Sequence, residues 1–113
     1  MKVFWFSLLV TAFLAGCSAG TPVTVTNLSG VPINAVEISG SGFSERIGAI
    51  GVGQSVFRQV QPRGDTGLAV SFRAGTRLIK VPSQGYFEGG GAYQVRAVVA
   101  PDLTVKVSGE LKY

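Results

Sequence analysis

The chain has 113 residues, enough for one small domain with a core of its own but not for two. Its net charge is +4 with only 14% charged residues, and the Arg and Lys residues are spread along the chain, which argues against a dense nucleic-acid-binding patch and for the solvated face of a sheet. It has no histidine and one cysteine, which removes the commonest metal ligand, the commonest general base and any intrachain disulfide.

The first element is MKVFWFSLLVTAFLAGC. Lys2 supplies a short positive start, and Val3 to Ala15 is an uncharged, mostly apolar run. A bilayer-spanning helix needs about 20 such residues, so this run reads as a secretory signal core and not as a membrane span. It ends Leu14-Ala15-Gly16-Cys17, which is similar to the lipobox of bacterial lipoproteins. The resemblance implies that Leu14, Ala15 and Gly16 are read by a dedicated signal peptidase and that Cys17 carries a diacylglycerol, and often an amide-linked fatty acid such as palmitate. An ordinary buried cysteine would leave Phe4, Trp5 and Phe6 in a helix for which the β-rich remainder has no evident place. In enteric lipoproteins an Asp after the lipidated Cys retains the protein in the inner membrane, so Ser18 implies the outer membrane, with the domain facing the periplasm.

The expected organisation is a signal peptide over residues 1–16, a lipidated Cys and short tether over 17–22, and one β domain over 23–113. Without Lys2, nine basic residues face six acidic ones, a net charge near +3 that leaves only a weak attraction to anionic head groups.

Beyond the tether, Gly and Pro punctuate the chain every eight to twelve residues and the intervals alternate apolar and polar, the pattern of an antiparallel all-β domain. Strands are expected over 22–26, 33–39, 46–50, 55–61, 68–73 and 77–81, followed by a hairpin that pairs 93–99 with 103–108. In the clearest alternation, Leu68, Val70 and Phe72 face the core and Ala69, Ser71 and Arg73 face solvent. Asn27-Leu28-Ser29-Gly30, Gly51-Val52-Gly53 and Pro62-Arg63-Gly64-Asp65 read as turns, and residues 82–91 as the longest loop. Seven or eight strands suit a small sandwich, immunoglobulin-like or transthyretin-like, or a small barrel.

Motifs for chemistry are sparse. Arg63-Gly64-Asp65 and Asn27-Leu28-Ser29 match short recognition tripeptides, but turn formation accounts for both. No Gly-x-Ser-x-Gly or Ser-x-x-Lys arrangement occurs, the Gly-rich stretches lack a following helix, and the six carboxylates have no telling spacing. No catalytic, cofactor or metal site is expected. The one stretch with character is Tyr86-Phe87-Glu88 before Gly89-Gly90-Gly91, a candidate contact for a protein partner. Alternation carried back from Tyr93 and Val95 points Phe87 inward and Tyr86 outward.

The leading expectation is a non-enzymatic envelope lipoprotein, held to the membrane through Cys17, that binds another protein or supports an envelope assembly. A toxin-immunity or enzyme-inhibitor lipoprotein is the alternative, and a glycan-active enzyme the third. Gene neighbourhood separates the first two, since an adjacent effector gene would favour immunity.

Overall fold

Val, Ile, Phe and Thr at every second position give a chain whose apolar side chains all fall on one face of an extended backbone, and such a face must find a second sheet to cover it. The computed structural model, which describes residues 20–90 and 92–111, meets that demand with eight strands and, among the described residues, no helix. They are β1 (Thr21–Asn27), β2 (Ile33–Gly40), β3 (Phe43–Ile50), β4 (Ser55–Val60), β5 (Asp65–Ala74), β6 (Arg77–Glu88), β7 (Tyr93–Val99) and β8 (Val105–Leu111). Two four-stranded sheets result, one ordered β4-β1-β7-β8 and the other β3-β2-β5-β6. The fold is therefore a sandwich and not a barrel. An immunoglobulin domain keeps its first two strands in one sheet. Here β1 and β2 lie in different sheets, which leaves the transthyretin-like arrangement among the shapes expected.

All pairs are antiparallel except β1 with β7, which run parallel from Val23 opposite Val95 to Asn27 opposite Val99. Sixty-odd residues separate the two strands, so no tight connection dictates their direction.

The inner faces pack Val23 and Val25 of β1, Val36 and Ile38 of β2, Leu68, Val70 and Phe72 of β5, and Val95, Ala97 and Val99 of β7 into one core. Each of the Val, Ile, Leu and Phe side chains, once enclosed, contributes about 1.5–3 kcal/mol of transfer free energy. Phe72 and Phe87 are the largest fully buried side chains, and the Phe87 ring meets Phe43 at 6.3 Å between centroids.

The expectation of a loop over 82–91 is corrected: β6 continues to Glu88. Thr66 pairs with Phe87, Leu68 with Gln84 and Val70 with Val81, so β6 carries an extra residue at each of two successive steps. These two bulges, with Pro82 on an edge strand, break the alternation that reveals a strand in sequence. Gly67 makes the close approach possible, because a Cβ there would lie 2.4 Å from Ser83 Oγ and 2.9 Å from the Gln84 carbonyl oxygen.

Each long side of the sandwich brings an edge strand of one sheet beside an edge strand of the other. Between β6 and β8 the Gln84 side chain spans the gap: its Nε2 donates to the Val105 carbonyl at 3.0 Å, and its Oε1 accepts from the Val107 amide at 3.4 Å. Between β3 and β4 an ion pair closes the seam, Arg58 Nε to Glu45 Oε1 at 3.8 Å. Glu45 shares the inward register of Ile38, and Arg58 that of Val23. Inward-pointing charge on edge strands discourages edge-to-edge association.

Candidate functional site

Cys17, Leu14, Ala15 and Gly16 lie outside the described residues. Tyr86, Phe87 and Glu88 form the last residues of β6. Phe87 is fully buried, so it is withdrawn from the candidate contact: with β5, β3 and the core around it, its ring has no surface to offer. Tyr86 is 49% exposed and stands edge-on to Tyr93, with 6.0 Å between centroids. Its hydroxyl donates to Glu88 Oε2 at 2.5 Å. That hydrogen bond, which the ionised phenol would lose, leads the causes that push Tyr86 up to about 12, with the nearby Asp65 and Glu88 carboxylates adding to it. Asp65 and Glu88 face each other as the first pair of the β5–β6 ladder, a like-charge juxtaposition.

The registers sort every turn to one of two ends. Thr21, the β2–β3 turn, the β4–β5 connection and the Tyr93–Leu111 pair lie at the end where the chain enters the domain, since Gly20 lies against Val60 and Gln61, Arg63 N bonds to Ser41 O at 2.8 Å, and Gly89 lies against Pro62. Tyr86 belongs to this entry end, because its carbonyl lies against Gly109, which pairs with Val95 two residues from Tyr93. The β1–β2, β3–β4, β5–β6 and β7–β8 turns gather at the opposite, free end.

Asn27 organises the free end. The sequence reads it as the first residue of a turn; the structure makes it the fully buried last residue of β1, and the positive φ of that turn belongs to Gly30. Its Nδ2 donates to the carbonyls of Val31 at 2.8 Å, Ile50 at 3.1 Å and Gly51 at 3.2 Å, and its Oδ1 accepts from the Ser29 amide and hydroxyl. Its backbone binds Gln54 O and Gly53 N. One side chain thus fixes the β1–β2 turn to the β3–β4 turn. The β7–β8 turn joins through Leu28 N to Val99 O at 2.9 Å. There Leu103 adopts φ 69°, a conformation that costs a bulky residue. Asp102 supports that turn by accepting from Thr104 N and Oγ1, bonds that hold its carboxyl below the usual range.

This rigid end carries exposed aliphatics. Leu28, Val31 and Val52 are about half exposed or more, and Leu78 stands beside the β5–β6 turn. Sequence reading passed over them because they lie inside turns, although an aliphatic residue between two glycines, as in Gly51-Val52-Gly53, is the signal that was available.

Little else gathers. A shallow depression of about 290 Å³ on the outer face of the β3-β2-β5-β6 sheet exists because Ser39, Ala69 and Ser71 are small, with Glu37 and Lys80 at its margins. Glu37 is engaged with Arg46 at 3.6 Å. Among the described residues, no three of His, Cys, Asp and Glu come together as metal ligands would.

Compared with protein-family models, curated proteins and solved structures, the chain has no match.

Proposed function

We propose that this chain is a non-enzymatic lipoprotein of the bacterial envelope, anchored through acyl chains on Cys17 in the outer membrane and facing the periplasm, and that it binds a protein partner through its free end. The observation that carries the reading is the placement of Leu28, Val31 and Val52 on turns locked together by Asn27, at the end opposite Thr21. Exposed apolar side chains on loops held by a rigid scaffold are the ordinary material of a protein-binding surface. A tether that enters at the other end leaves that surface pointing away from the membrane.

The test has two parts. Cells supplied with a clickable fatty acid should label wild type and not Cys17→Ala; an unlabelled wild type would end the lipoprotein reading. The soluble domain from Ser18 should then capture a partner that the double variant Leu28→Asp, Val52→Asp does not, with both proteins melting at similar temperatures. Equal capture by the two would remove the free end as the binding surface. A lytic enzyme as the captured partner would identify the immunity or inhibitor form of this function.

A further inference from the structure

The entry end is also unevenly built, and it has a neighbour of its own if Cys17 is lipidated. Gly20 and Thr21 are both buried, with Gly20 held against Gln61 and the Val60 carbonyl, so the fold grips the chain from its first described residue. Only Ser18 and Ala19 separate that grip from Cys17. Three Cα–Cα steps of 3.8 Å reach no more than about 11 Å. The polar layer of a leaflet is itself roughly 5–8 Å deep, from a bilayer of about 40–45 Å around a core of about 30 Å. A domain on so short a leash rests its entry end in the head groups.

The corners of that end differ. The β2–β3 turn and the β4–β5 connection offer Ser41, Gly42, Arg63 and Gly64, all polar or without side chain. The β6–β8 corner offers Tyr86 and Leu111, the two large apolar side chains exposed at this end among the described residues, with Tyr93 edge-on behind Tyr86. Tyrosine is suited to the head-group layer, where its ring meets acyl chains and its hydroxyl stays wet. Asp65, Glu88 and Glu110 surround this corner, and Lys112 follows Leu111 in the sequence.

Resting on the lipoprotein reading above, we infer that the β6–β8 corner, through Tyr86 and Leu111, is a second membrane contact that leans the domain onto the leaflet holding its own acyl chains. Its occupant is a lipid surface with zwitterionic, ammonium-bearing head groups. The ammonium groups complement Asp65 and Glu88, whereas a strongly anionic surface would repel them. The lean fixes the direction in which Leu28, Val31 and Val52 are presented.

The mature chain contains no tryptophan, since Trp5 precedes Cys17, and single reporters can therefore be placed at will. The lipidated protein is reconstituted in phosphatidylethanolamine–phosphatidylcholine vesicles that carry a lipid quencher just below the head groups. Three variants are compared: Tyr86→Trp, Leu111→Trp and, at the free end, Val52→Trp. Emission from the first two should be blue-shifted and quenched several-fold more strongly than that of the third, and the difference should shrink in phosphatidylglycerol-rich vesicles. Equal quenching at all three positions, or stronger quenching at Val52→Trp, would overturn the inference. A preparation that takes up no acyl label overturns the lipoprotein reading and this inference together. A labelled preparation with Tyr86→Trp and Leu111→Trp unquenched overturns this inference alone and leaves the free-end binding surface standing.

Discussion

The two ends of this sandwich are held by opposite means. At the entry end, aromatic rings do the packing: Phe87 is enclosed against Phe43, and Tyr86 leans on Tyr93. At the free end a polar side chain, Asn27, is enclosed, and the aliphatic residues Leu28, Val31 and Val52 lie outside. The difference shows how a small domain without a disulfide can keep apolar residues on its surface. Hydrogen bonding inside the turns takes over the work that burial does elsewhere, and the aliphatics are released for contact with something else.

That contrast can be broken by substitution. Phe87→Ala should have the largest effect, a loss of about 3–5 kcal/mol from a fully buried ring. At about 4–8 °C per kcal/mol for a domain of this size, calorimetry should show a fall of more than roughly 12 °C. A wild-type melting temperature would mean that the entry end does not depend on this ring.

Asn27→Ala should follow. It removes the donor to three carbonyls and the acceptor for Ser29, and strands buried polar groups worth about 1–3 kcal/mol each, part of which water can recover. A net loss of roughly 3 kcal/mol is expected, with amide exchange rising first at Gly53 and Leu28. If exchange rises uniformly instead, Asn27 is an ordinary core residue and the free end is not a unit.

Smaller effects sharpen the picture. Asp65→Asn removes a like charge facing Glu88 and should raise stability by a few tenths of a kcal/mol up to about 1. The Tyr86 phenol gives a pH signature at the same corner. Its folded pKa, about 12, lies above the unfolded value near 10, so its contribution is complete below pH 10 and is lost as pH rises toward 12. Titration of tyrosinate absorbance should find that the Tyr86 phenol ionises late and moves down in Glu88→Gln. Leu28→Ser and Val52→Ser should change stability least, within about 0.5 kcal/mol, because about half of each residue is already in water. A larger loss would show that they pack against the turns and are not free for a partner.

Most strands were legible because each is a local pattern. Leu68 to Arg73 alternates without a break, and the observed β5 buries Leu68, Val70 and Phe72 as that pattern requires. Phe87 is inward and Tyr86 outward as the alternation from Tyr93 and Val95 suggests, although those two belong to β7 in the other sheet. β6 was legible only to Val81, since two bulges and Pro82 interrupt the period within its second half. Phe87 was included in the candidate contact because composition marks an aromatic beside glycines but not which ring is enclosed.

By itself, then, the sequence determined an all-β domain and most of its inward residues, because periodicity is a property of neighbours along the chain. Tertiary structure alone decided that β1 lies parallel to β7, that Gln84 and the Arg58–Glu45 pair close the two long sides, and that Leu28, Val31 and Val52 share one end. These depend on residues tens of positions apart. Their meeting is set by how two twisted sheets cover each other's apolar faces, and no local pattern in the chain records it.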